Sequence, residues 1–488
     1  MKISIKQILP IALLVVLSTS CKKQLLDINV SPNDPTTASA TPGVVLPAAL
    51  ATTAAIFNNP TADSRMVWAA IWMGHISYSG NYAISTESLS YAITNTFGGT
   101  ATFNSIYDNI EDYDFVEQAA IKQGNKFYEG IGKLMKAYDF QYLVDLYGDV
   151  PYTEALKGTE NSTPKYDKGI DIYTDLAKKM DEAIAIFKAA TGTVSGDIMF
   201  NGDATKWLKF ANTVKLRLLI RQSERTDRAS YIQTQLANIK AGPFIDFDVT
   251  VQPGYLNSAG KQNPFWGSNV NVSGTYTQDL YRGGGFVIDW MKANNDPRLA
   301  RLFKPAASTG VFTGNYFGEQ GIPNSKTSEF GPGVLKSAGQ ASILMLAAES
   351  YFLQAEAALR GWIPGDAQAL YQKGVEASFV TLGLSVAQAQ AYYNQAGNTD
   401  TNWATASTFQ QKLALIIRQK WAALTLVNEL EAFNDYRRLH MPADIPLSRS
   451  PYSTGKVPSR IPLPQREYEV NAVNAPVYAV TDKVWWMP

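Results

Sequence analysis

Cysteine occurs once in the 488 residues, at Cys21, and histidine twice, at His75 and His440. One cysteine cannot form an internal disulfide. With no H-E-x-x-H and no Cys-x-x-Cys, the common zinc arrangements are excluded. An excess of either charge is also missing: 43 basic residues balance 43 acidic ones, and only 18% of the chain is charged. A nucleic-acid binder needs a basic face for the phosphates, so that class is set aside, and a polyanionic substrate fares no better. Long apolar runs are absent too. The longest, Ile8 to Leu17, falls short of the roughly 20 apolar residues that a membrane-spanning helix needs.

Spaced catalytic motifs are equally scarce. There is no G-x-S-x-G elbow and no phosphate loop or G-x-G-x-x-G; Gly283-Gly284-Gly285 reads as a flexible joint. Asp246-Phe247-Asp248 lacks the glycine and glutamate of an EF-hand loop. Neither a metal nor a cofactor is expected. One catalytic class survives, glycoside hydrolysis, because it asks only for two carboxylates about 5–9 Å apart. Most acids here alternate with Lys and Arg on helix faces that read as solvated.

What the chain does have begins at its start. Lys2 and Lys6, the apolar run and Ser18-Thr19-Ser20 precede Cys21, in the pattern of a secretory signal. A cysteine placed directly after small residues fits the lipobox of bacterial lipoproteins, although Ser18 stands where an aliphatic residue is usual. The plainer alternative is an ordinary signal with a stray cysteine. Several acyl chains on one residue give stable membrane anchoring. Residues 21–46 are polar and proline-punctuated, and read as a tether.

Beyond it, helical periodicity dominates. Apolar residues recur at helical spacing in Phe127–Tyr147, Ile170–Lys188 and Ala204–Gln222, the last with Asp203 as N-cap. A second set comprises Ile343–Arg360, Ala367–Leu382 capped by Asp366, and Phe409–Leu439. Helix, short turn and helix over about 40 residues has the tetratricopeptide format. The expected fold class is therefore mainly α, with helical hairpins as scaffold and a loop-rich ligand face. Residues 242–340, dense in Gly, Pro, Asn and Ser, read as a functional insert. The expected organisation is a signal at 1–20, a tether at 21–43 and a single domain at 44–488.

Aromatics make up 11% of the chain, with 25 Tyr and 10 Trp. Flat apolar faces with polar edges suit sugar rings and peptides. Two stretches combine them with Ser, Thr, Asn and Gly: 68–97 and 255–290. Trp68 and Trp72, four apart, read as buried on one helix face, and Trp290 as part of a short helix. Tyr78, Tyr82, Trp266, Tyr276 and Tyr281 lie in loop-like sequence and are the candidate ligand-binding residues.

Asp145-Leu-Tyr-Gly-Asp-Val-Pro-Tyr-Thr-Glu-Ala155 resembles the motif after the first repeat helix of SusD/RagB-like proteins, closest to their second group. Thr163-Pro-Lys-Tyr-Asp167, Lys206-Trp-Leu-Lys-Phe-Ala-Asn212, Asp296-Pro-Arg-Leu299, Ala348-Glu-Ser-Tyr-Phe-Leu-Gln-Ala-Glu-Ala357 and Arg460-Ile-Pro-Leu-Pro464 follow the family order, as does Asp27-Ile-Asn-Val-Ser-Pro-Asn-Asp-Pro35. The resemblance implies an outer-membrane, lipid-anchored protein at the cell surface. It would capture a glycan or peptide nutrient for a TonB-dependent SusC-like transporter, without catalysis. Lys22-Lys23-Gln24 stands where surface-exported lipoproteins often carry acids, which leaves the periplasmic leaflet open. The alternative is a lipid-anchored glycoside hydrolase.

Overall fold

The apolar stripes of the sequence fold as helices that pack on their chain neighbours. A computed structural model describes residues 40–57, 66–97, 99–189 and 194–488. The expectations for the signal 1–20, for lipidation of Cys21 and for nearly all of the tether lie outside the described residues. Pro42–Pro488 is one structural unit. Among the described residues no helix is long and apolar enough to cross a membrane.

In chain order, the first elements are α1 (Pro42–Phe57), α2 (Val67–Trp72), β1 (Ile76–Tyr78) and α3 (Thr86–Leu89). Next come α4 (Gly99–Gln123), α5 (Lys126–Tyr147), β2 (Val150–Pro151), β3 (Tyr166–Asp167), α6 (Gly169–Ala189), α7 (Ala204–Ile220) and α8 (Ala229–Leu236). The middle of the chain holds β4 (Val249–Val251), α9 (Pro264–Asn269), β5 (Tyr281–Gly283), α10 (Gly285–Ala293) and α11 (Leu299–Leu302). The last set is β6 (Ser342–Met345), α12 (Ala347–Leu359), α13 (Ala367–Thr381), α14 (Val386–Tyr393), α15 (Phe409–Leu424), α16 (Glu429–Leu439) and α17 (Gln465–Val470). Helices α4 to α7 pack each on the next, as do α12, α13 and α14, with α15 returning onto α12. Short turns join α4 to α5 and α13 to α14, the format of helical hairpins, while longer segments link α5 to α6 and α6 to α7. Among the described residues, sheet is confined to three two-stranded antiparallel ladders, β1–β5, β2–β3 and β4–β6. The fold is mainly α, as expected.

Side-chain caps start the helices where the sequence places them. Asp203 accepts from the backbone N–H of Thr205 and Lys206, and Asp366 from that of Gln368. Two expected boundaries move. The first residues of the stretch Ile343–Arg360 are strand, because Val249–Val251 pairs with Ser342–Met345 before the helix opens at Ala347. The stretch Phe409–Leu439 breaks at Thr425–Asn428. There Leu426 takes a left-handed φ of 63°, its N–H donates to the Glu429 carboxylate at 2.6 Å, and Asn428 caps α16.

The motifs behind the family resemblance turn out to be buried polar contacts. Arg221 Nη2 donates to both oxygens of Glu431 (2.7 and 2.8 Å), and its Nε lies 3.2 Å from Asp145. Arg438 bridges Glu356 and Asp435, and Arg298 chelates Asp296. Burial would push the Glu356 carboxyl up, but the Arg438 guanidinium outweighs it and holds the group down at about 2. Gly148 explains why two distant motifs go together. Its φ is +86°, and a Cβ there would lie 2.7 Å from the Arg460 guanidinium, beside which Ile461 donates to the Leu146 carbonyl.

Asp139 behaves in the opposite sense. Burial pushes its carboxyl up to about 8, against hydrogen bonds from Asn109 and Thr53. A carboxyl raised on folding is favourable below its unfolded value, and that contribution is lost as pH rises toward the folded value. Asp139→Asn keeps an acceptor for Asn109 and removes the titration. Denaturant titrations of this variant should therefore show a shallower fall in stability between pH 4 and pH 8 than the parent chain.

Candidate functional site

The site starts from six buried residues. Every residue of α2, Val67-Trp-Ala-Ala-Ile-Trp72, is buried. Trp68 and Trp72, one turn apart, bring their ring centroids to 4.7 Å and both lie against Phe433 of α16. The helix ends at Gly74, whose φ of +74° and contact with the Phe286 ring leave no room for a side chain. The chain then reverses into β1, which pairs with β5 in the register Ile76↔Gly283, Ser77↔Arg282, Tyr78↔Tyr281. Residues directly opposite in an antiparallel pair share a face. The Tyr78 and Tyr281 rings accordingly stand side by side, 5.7 Å apart at 39°.

A flap at 85–97 makes the other wall. Ser85 caps α3, and Glu87 Oε1 accepts from the Thr94 N–H (2.6 Å) and hydroxyl (2.8 Å), closing the loop on itself. Phe97 then stacks almost parallel to Trp72, with 6.0 Å between centroids and 7° between planes. From the other side, the Ser448 hydroxyl donates to the Leu89 carbonyl.

These walls enclose a cavity of about 270 Å³, bounded by Trp68, Trp72, Tyr78, Glu87, Phe97 and Tyr281 among others. Its volume is close to the lower end of small-molecule sites, about 300 Å³. Burial pushes both tyrosine hydroxyls up from their ordinary value, so they remain neutral O–H groups at physiological pH. The cavity thus offers apolar ring faces, two neutral hydroxyls, Ser88 and Thr96, with Glu87 as the one carboxylate among the described residues of its lining.

Of the five residues singled out in the sequence, the structure brings two together here, Tyr78 and Tyr281. Tyr82 is exposed on the loop after β1, which is held by Gln320 donating to its carbonyl (2.7 Å) and by Asn324 donating to Asn81. Trp266 is half-buried on α9, which Asn263 caps through the Trp266 N–H. The Tyr276 ring is engaged by two cations, with Arg282 at 5.3 Å and Lys304 at 5.5 Å. None of these three lines the cavity. Trp68 and Trp72 are buried as read, yet they form its floor. Nothing in the sequence pattern points to Glu87, Ser88 and Thr96, since a short polar loop carries no periodic signal. Among the described residues no group of three or more His, Cys, Asp or Glu is placed to hold a metal ion.

Residues 32–464 match the family model SusD-like_2, described as starch-binding associating with outer membrane. Solved structures agree with the fold. A SusD-like protein from Bacteroides thetaiotaomicron VPI-5482 is 25% identical, with a TM-score of 0.75 over 91% of this chain and 98% of that one. A chitin-binding protein is 26% identical, with a TM-score of 0.76 over 92% of this chain and 100% of its own. A chitin-binding SusD homolog from Flavobacterium johnsoniae, 22% identical, shares the fold with a TM-score of 0.73 over 90% and 98%. No curated protein matches the chain. Fold, scaffold motifs and family model thus converge: this chain belongs to the SusD-like family of outer-membrane nutrient-binding proteins.

Proposed function

We propose that the chain is a lipid-anchored capture subunit that grips a neutral glycan and passes it to a TonB-dependent, SusC-like transporter. The aromatic cavity between the Tyr78–Tyr281 pair and the 85–97 flap carries this reading. Stacking on ring faces with hydroxyl groups at the edges is the chemistry a pyranose needs. Similarity to a chitin-binding protein favours a glycan over a peptide. Capture rather than hydrolysis is supported by the lining itself: cleavage of a glycosidic bond takes two carboxylates, and Glu87 is the one among the described residues there, with one oxygen already engaged by Thr94.

Cys21 would carry the acyl chains, so Cys21→Ala should move the chain from the membrane to the soluble fraction on cell fractionation. Gentle detergent extraction of the lipidated chain should bring a large β-barrel protein with it. Recovery of the chain alone, under conditions that preserve other outer-membrane complexes, would count against the transporter role.

A further inference from the structure

On the helical side of the molecule a wider groove, of about 690 Å³, opens between the turn after α7 and the start of α15. Two rings flank it, Trp362 from the α12–α13 turn and Phe409 at the first position of α15, the latter 39% exposed. Between them lies the Arg360 guanidinium, 5.6 Å from each ring centroid.

The charges of this groove are already satisfied. Arg360 donates to Glu356 (2.9 Å) and Glu224 (2.7 Å), and Arg225 is held by both oxygens of Asp227 (2.8 and 2.7 Å). An anion would have to compete with these carboxylates. By contrast, the Thr226 and Ser230 hydroxyls and the Gln233 amide have no hydrogen-bond partner among the described residues, and all belong to groove-lining residues. Apolar ring faces bordered by free neutral donors and acceptors, with cations neutralised in place, match a neutral polyhydroxylated ring. An extended apolar peptide would leave those polar groups unpaired at a cost.

We propose that this groove is a second carbohydrate site, taking one or two rings of a neutral oligosaccharide independently of the Tyr78–Tyr281 cavity. Its volume exceeds that of the first cavity, and its open, polar rim suits weak holding of a chain segment rather than enclosure of one ring.

The test uses the full mature chain carrying Tyr281→Ala, which disables the first site. Neutral trisaccharides of glucose, N-acetylglucosamine, mannose, xylose and galactose serve as probes, with binding followed by calorimetry and ligand-observed NMR. At least one trisaccharide should still bind the Tyr281→Ala chain, and adding Trp362→Ala should weaken that residual binding tenfold or more. Gln233→Ala, an exposed change that leaves folding intact, should weaken it several-fold. Absence of residual binding to every probe would overturn the proposal. So would residual binding indifferent to Trp362 and Gln233, or loss of co-purifying transporter in Trp362→Ala with sugar binding unchanged. Loss of binding to the parent chain at the first cavity alone would bear on the proposed function and leave this site standing.

Discussion

Glu431→Ala should destabilise the folded chain by about 3–5 kcal/mol, the range for removing one partner of a buried ion pair. Glu431 is fully buried and accepts both bonds from Arg221 Nη2, while Arg217 Nε approaches to 4.0 Å and the Asn434 amide donates at 3.3 Å. Burial alone would raise its carboxyl; Arg221 and Arg217 together hold it well below the usual carboxylate range. Truncation strands two guanidinium groups in the core, with Asp145 left for Arg221 and Glu349 for Arg217. The sign with pH follows: a carboxyl depressed on folding stabilises above its unfolded value, and that contribution fades as pH falls below it. The parent chain should therefore lose stability in acid more steeply than Glu431→Ala. Thermal melts followed by circular dichroism check both points. Replacing the pair together, Arg221→Met with Glu431→Leu, should recover part of the loss, because it removes the Arg221 guanidinium that Glu431→Ala leaves short of a partner; Asp145, which then loses Arg221, limits the recovery. Equal melting of Glu431→Ala and the parent would mean that the network contributes nothing to stability.

The second large effect falls on binding. Truncating Tyr78 and Tyr281 together removes one whole wall of the cavity and both neutral hydroxyls. Aromatic anchors at the centre of a site typically contribute about 2 kcal/mol or more each, about 30-fold in affinity, so the double change should cost between about 30-fold and, if the two add, about 1,000-fold. Both side chains are half-buried on a short ladder whose backbone pairing the change leaves in place, with the Ser77 hydroxyl still donating to the Gly283 carbonyl. Trp72→Ala is the wrong test, since Trp72 also packs on Phe433, Tyr91 and Phe97 and its loss would open the core. Tyr276→Ala is the informative control: its ring is engaged by Arg282 and Lys304 outside the cavity, so affinity should stay close to that of the parent.

The contrast between Tyr281 and Tyr276 shows where reading the sequence ends. Both tyrosines sit in the same Gly- and Ser-rich stretch, and nothing local separates them. What separates them is a long-range pairing, Tyr78↔Tyr281, that no period reveals, and two cations that flank Tyr276 only after folding. Trp68 and Trp72 illustrate the reverse. Spacing of four fixes a common face, and that face is indeed buried, but the open side of the same rings becomes a cavity floor once the flap settles over it. Helices were legible because burial against a neighbour imposes a 3.6-residue period on the chain, and their caps at Asp203 and Asp366 because a side chain bonds within its own turn. Strand β6 was not legible inside its alanine-rich context, because its partner β4 lies far away in sequence. Family motifs were readable as strings, but their physical reason, buried arginine–carboxylate contacts and the Gly148–Arg460 approach, appears only in three dimensions.

Calorimetric titration of the mature chain with maltotriose and triacetylchitotriose, run beside the Tyr78/Tyr281 double variant and followed by chromatography of the recovered sugar, tests ligand capture most directly. Saturable binding of at least one sugar by the parent, strongly weakened in the double variant, with the trisaccharide recovered intact, is the expected result. Shortened sugar in the recovered fraction, or equal binding by both proteins, would contradict it.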